Sequence, residues 1–271
     1  MKRFLQIICA SICIFLCSCN NAEKTVSFEY SNMVDKETQD FVIELLNKHG
    51  VDFQDIDLFI ECVNDFYNNY KGIADNGWVK TDLIDFGYTA ENAFEHWDSK
   101  DRNRFDINCR VAAFILFKDF LSASNDSAIN IVDENLLNEI SLFTNQEIRK
   151  YSTVYGYIET NASKKNELIN DIQSYRQHYG IEFDDDSPIK LLCLYTKSSG
   201  QSYAQIFHAA VMIEENDSLY LIEKYEPMYP YQISKFDSLD DLKSYILERC
   251  SPPKTSDIQY AEVMVNNEAI N

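Results

Sequence analysis

Glycine and proline are scarce in this chain, with 7 and 5 among 271 residues. Collagen-like repeats and long flexible linkers are thereby excluded. Basic residues are scarce as well. Lys and Arg number 24 against 44 acids, a formal charge of −20. A nucleic-acid partner needs a basic face, so none is expected. There are only 4 histidines, and no two of His49, His96, His178 and His208 have helical metal-ligand spacing. No C-x-x-C occurs either, so neither a metal nor another cofactor is expected. What the chain does have is apolar content: 45% hydrophobic and 13% aromatic. That is enough for a packed core and argues against intrinsic disorder.

The first segment reads as an address. Lys2 and Arg3 precede an apolar run from Phe4 to Leu16, broken only by Gln6 and Ser11. A membrane-spanning helix needs ~20 apolar residues, so the run fits a secretory signal instead. It ends in Leu16-Cys17-Ser18-Cys19, which resembles a bacterial lipobox. The expected organisation is a signal peptide over 1–18, a tether over 19–25 lipidated at Cys19, and one domain over 26–271. An ordinary signal peptide with chance cysteines is the alternative. A diacylated anchor holds a protein stably to a membrane. Asn20, not Asp, follows the cysteine, so the expected address is the outer membrane or cell surface.

Beyond the tether, four cysteines remain: Cys62, Cys109, Cys193 and Cys250. An oxidising compartment permits disulfides, and four cysteines allow three complete pairings. The body then divides into two halves. Asp35 reads as the cap of a first helix that Gly50 closes. A second helix is expected from Asp55 to Lys71, with Phe59, Val63, Phe66 and Tyr70 on one stripe. Further helices are expected over Ala90–Trp97, Cys109–Leu121, Glu134–Phe143, Gln146–Tyr155 and, capped by Ser163, to His178. After this the period changes. Ile189–Tyr195, Ile206–Ile213, Leu219–Tyr225, Tyr231–Phe236 and Tyr260–Val265 read as strands, with a helix over Leu239–Arg249. Helices first and an antiparallel sheet afterwards indicate an α+β fold.

One constellation carries chemistry. Asn108-Cys109-Arg110 opens the most apolar helix. A cysteine at a helix N-terminus lies at the positive end of the macrodipole, which favours the nucleophilic thiolate. Equally, Cys109 alone reads as a small core residue. His208 and Glu223 tip the balance, because each interrupts an apolar strand. If Glu215 pairs with Ser218 across the hairpin turn, Ala210 faces Glu223 and His208 faces Tyr225. His208 and Glu223 then share one sheet face as diagonal neighbours. A one-residue slip would separate them. Cys109 is thus the candidate nucleophile, His208 the base and Glu223 its orienter. The Cys109 amide and the Asn108 side chain are candidate oxyanion donors, with Arg110 near the cleft. Simple N-capping explains Asn108 equally well.

A helical Cys followed by His and then a polar residue on successive strands resembles the papain-like and NlpC/P60-type cysteine hydrolases. That resemblance implies cleavage of amide bonds in proteins or peptidoglycan stem peptides. Tyr30-Ser31-Asn32-Met33-Val34, Asn108-Cys109-Arg110, His208-Ala209-Ala210-Val211, Ile222-Glu223-Lys224 and Pro230-Tyr231 resemble a bacterial lipoprotein family called domain of unknown function 4300. Two functions are therefore expected alternatives. One is a lipid-anchored cysteine hydrolase acting on a peptide or peptidoglycan peptide. The other is a non-catalytic binding or assembly lipoprotein on a hydrolase-like fold.

Overall fold

The computed structural model describes residues 26–69, 77–82, 107–124, 133–249 and 257–270. The signal segment, the tether with Cys19, the helix expected over 90–97, Tyr70 and Cys250 lie outside the described residues.

The chain opens with a strand that its periodicity does not announce, β1 (Phe28–Ser31), and then α1 (Lys36–Lys48). Asp35 caps this helix by accepting the Thr38 N–H at 2.9 Å. Val42, Leu45 and Leu46 form its buried face. Gly50, at φ +86°, reverses the chain in a conformation that costs other residues. Next come α2 (Phe53–Asn69), which buries Phe59, Val63 and Phe66, and the short β2 (Val79–Thr81).

The helix α3 (Cys109–Phe117) is buried along almost its whole length. It is shorter than the run to Leu121 suggests. Lys118 pairs with Asp55 and Asp119 is exposed, so the chain turns outward through a 3-10 turn into β3 (Leu121–Ala123). Then follow α4 (Glu134–Ile140), α5 (Asn145–Tyr155), β4 (Ile158–Glu159) and α6 (Lys165–His178). Thr144 and Glu147 form a reciprocal capping box on α5. Ser163 does not cap α6 directly. Its N–H and hydroxyl both donate to Glu167, at 2.7 and 3.0 Å, one residue before the cap position.

The second half supplies β5 (Ile181–Phe183), β6 (Ile189–Ser198), β7 (Tyr203–Glu215), β8 (Ser218–Lys224), β9 (Tyr231–Phe236), α7 (Leu239–Arg249), β10 (Ile258–Val265) and β11 (Glu268–Ala269). The main sheet runs β11-β10-β6-β7-β8-β9-β1-β2, with β4 on part of β7 and every described pairing antiparallel. The fold is α+β. Side chains alternate between two cores, as strand pleating demands. Ala209, Val211 and Ile213 of β7 join the core shared with α1, α2, α3 and α5. Ala210 and Met212 join Leu242, Tyr245 and Ile246 of α7 on the other face. Both faces of the central strands are thus covered. This is why β6 and β7 read as continuous apolar runs and not as alternating ones.

Candidate active site

The β7–β8 hairpin pairs Glu215 with Ser218 and Ala210 with Glu223. His208 and Glu223 therefore fall on one face, and His208 Nε2 lies 2.7 Å from Glu223 Oε2. Both are fully buried. A second feature of β7 lies beside them. Leu194 pairs with His208 but Tyr195 pairs with Ile206, leaving Phe207 as the extra residue of a β-bulge. Bulges re-aim neighbouring side chains and recur next to functional sites.

Cys109 enters from α3, the helix packed on β7. Asn108 caps that helix, its side-chain oxygen accepting the Val111 N–H at 3.0 Å. The other end of its amide bonds Asp133. Both ends of the Asn108 amide are thus used. Any oxyanion donation falls to the backbone amides at the first turn, which have no acceptor within a helix.

The imidazole nitrogen left over, Nδ1, makes no conventional hydrogen bond. The Cys109 thiol is close enough to the imidazole for each group to shift the other. Burial pushes the thiol up, yet the adjacent His208, the Arg110 charge and the Ala209 N–H together bring it below the ordinary thiol range. Burial likewise pushes His208 down, but Cys109 and Glu223 carry it up to about 9. Glu223 follows the same logic. Burial raises its carboxyl, and His208, Arg249 and Tyr245 outweigh that and hold it low.

The other buried thiols serve as internal controls. Cys62, Cys109 and Cys193 are all free and buried. Cys62 and Cys193 lack an imidazole partner, and burial pushes each up to about 12. Burial alone therefore gives an inert thiol. The difference at Cys109 comes from its neighbours.

Sequence reasoning missed the supports of these groups. Glu223 Oε1 accepts from the Tyr245 hydroxyl at 2.5 Å. Gln232, paired with Glu223 across β8–β9, donates to Tyr245 at 2.8 Å and to Ser234 at 2.6 Å. Gln232 was detectable, as another polar residue inside an apolar strand. Arg110 turns from the thiol to Asp133, which it grips with two bonds of 2.8 and 2.7 Å. It also donates to the Ile206 carbonyl at 3.1 Å. This ties the start of α3 to the bulge beside His208. Tyr151 completes the clamp by donating to Asp133 at 2.5 Å.

Asp133 holds this position at φ +61°, a left-handed conformation that Asp and Asn tolerate better than most residues. Asp133→Ala is expected to lower the unfolding free energy by about 2–4 kcal/mol, because it strands the largely buried Arg110 charge. Asp133→Asn retains the backbone preference and an acceptor, so it should cost less. Chemical denaturation of the two variants measures the difference. Equal stability to the parent would show that the clamp contributes nothing.

Fold and site together define a class: an α+β protein with a buried thiol at a helix N-terminus and a buried imidazole–carboxylate pair on the adjoining strands. The chain belongs to the DUF4300 family, described as a domain of unknown function, whose model matches residues 29–270. No curated protein and no solved structure matches it.

Proposed function

We propose that the chain is an exported, lipid-anchored cysteine hydrolase that cleaves amide bonds at the cell envelope. The observation that carries this reading is the convergence of Cys109, His208 and Glu223, with one thiol brought low while two equally buried ones are pushed high. The order of the three on helix, strand and next strand supports a papain-like or NlpC/P60-like arrangement. The Leu16-to-Cys19 segment supports attachment through Cys19. Strong negative charge disfavours anionic wall polymer, which leaves a peptide, or the peptide portion of peptidoglycan, as substrate.

In the proposed reaction the Cys109 thiolate attacks the amide carbon. The oxyanion takes hydrogen bonds from backbone amides at the start of α3. The His208 imidazolium gives its proton to the leaving amine, and a thioester forms. Neutral His208 then takes a proton from water as the oxygen attacks the thioester carbon. The acid product leaves and the thiolate–imidazolium pair is restored. Glu223 holds the ring and offsets its charge throughout.

The alternative, a binding or assembly lipoprotein without catalysis, draws on burial: Cys109 is only 4% exposed. An activated ester separates the two. With p-nitrophenyl acetate, the hydrolase reading expects a burst of nitrophenolate and a transient acetyl group on Cys109, both absent in Cys109→Ser. No acetylation of Cys109 would favour the binding reading.

A further inference from the structure

The turn that follows β8 packs against the proposed base, His208. The Tyr225 ring lies 5.4 Å from that of His208. Tyr229 meets Tyr225 edge-on at 5.6 Å. The turn is pinned at both ends, by the Tyr229 N–H donating to the Glu226 carbonyl at 3.0 Å and by Lys224 Nζ donating to the Tyr229 carbonyl at 2.5 Å. Glu226 stands at the head of this turn, and as a residue it is exposed.

The other acids of the site are all spoken for. Glu223 holds His208 and Tyr245, and Asp133 holds Arg110 and Tyr151. The Glu226 carboxylate makes no hydrogen bond and no ion pair among the described residues. Arg249 does not take it, for that guanidinium lies over the Tyr225 ring at 5.2 Å. Lys224 does not take it either, because its ammonium is held between Phe66 at 3.6 Å and Tyr231 at 4.4 Å. Its turn nonetheless borders the site, since the adjoining Tyr225 packs on His208. Partial burial raises the carboxyl's pKa, while the charges of Arg110 and His208 pull it down.

An unpaired, partly desolvated acid is unfavourable on its own and is relieved by a cation. Aromatic rings beside it add attraction of the same sign. We propose that Glu226, flanked by Tyr225 and Tyr229, is a specificity determinant that receives an ammonium or guanidinium group of the substrate beside the bond Cys109 attacks. This rests on the hydrolase reading and names the chemical class of its substrate: a peptide with a positive charge near the scissile amide.

The test uses three methanethiosulfonates of similar size on the full chain: aminoethyl (cationic), sulfonatoethyl (anionic) and methyl (neutral). In each case the Cys109 thiolate attacks the sulfenyl sulfur, a mixed disulfide forms, and methanesulfinate leaves with the bonding pair. Rates at Cys109 are followed by mass spectrometry. Each charged-reagent rate is divided by the neutral rate on the same variant, which cancels general changes in thiol reactivity. Glu226→Gln is expected to lower the cation-to-anion ratio by about five- to tenfold, the scale of one charge acting at short range near a protein surface. Glu226→Lys should lower it further. A ratio unchanged in both variants, with the neutral reagent still modifying Cys109, overturns this inference alone. Failure of the neutral reagent to modify native Cys109 overturns the hydrolase reading and the inference with it.

Discussion

Replacing His208 by alanine is expected to slow alkylation of Cys109 by iodoacetamide at neutral pH about a hundredfold. The size follows from the other two thiols. Without an imidazole partner the buried thiol moves toward the range of Cys62 and Cys193, each pushed up to about 12, with only Arg110 and the Ala209 N–H left to hold it down. In the parent, Cys109 lies below the ordinary value of 9.0. The thiolate fraction at neutrality therefore falls steeply. The more basic thiolate is also the better nucleophile, with a Brønsted slope of about 0.4–0.5, and this returns part of the loss. In the parent protein the rate should rise through the depressed thiol pKa and stay level until His208 loses its proton near 9. Peptide mapping after timed alkylation reads the outcome. Equal rates in parent and variant would mean that His208 does not activate the sulfur.

The same pair makes a prediction about stability and pH. The raised pKa of His208 contributes stability that is complete below its ordinary 6.5 and lost as pH rises through about 9. The lowered pKa of Cys109 contributes stability present above the ordinary 9.0 and lost as pH falls through its folded value. Below 9, and above both 6.5 and the folded value of Cys109, the folded pair and the unfolded pair each hold one proton. Their joint contribution is then level with pH, as linkage requires when proton counts match. Cys109→Ala removes the compensation. Any stability gained through His208 in that variant declines above neutrality, so pH-dependent denaturation of the two proteins should diverge there.

Much of this site was legible in the chain because strand pairing is arithmetic. One turn, Glu215-Asn216-Asp217-Ser218, fixes which residue faces which, and Glu223 falls beside His208 as a consequence. Asp35 and Asn108 were legible as caps because capping is a local bond. The supports were not legible, because they are made by distant segments. Tyr245 reaches Glu223 from α7, which covers the sheet face turned away from α3. Asp133 reaches Arg110 only through a left-handed backbone that nothing in its neighbours announces. The bulge at Phe207 is set by tertiary packing, since the sequence around it is uniformly apolar. β1 escaped notice for a related reason. It has four residues, and its place beside β9 depends on partners some 200 positions away.

Glu223→Ala is expected to lower the unfolding free energy by about 3–5 kcal/mol, the largest single effect among the site's acids. Removing one partner of a buried charged pair leaves the other uncompensated. Here three groups lose an acceptor or neighbour at once: His208 Nε2, the Tyr245 hydroxyl and Gln232. The carboxylate is also fully enclosed, so water cannot take its place without opening the sheet–α7 interface. Glu223→Gln separates stability from chemistry. It keeps the volume and an oxygen acceptor for His208, so it should cost only about 1–2 kcal/mol. It also removes one of the two charges that raise the imidazole, so the upper limit of the alkylation plateau should move below 9. A Glu223→Gln protein with the parent's pH profile would mean that Glu223 only fills space between β8 and α7. A shifted profile in a stable protein would mean that its charge sets the protonation state of His208, the condition the proposed acid–base step requires.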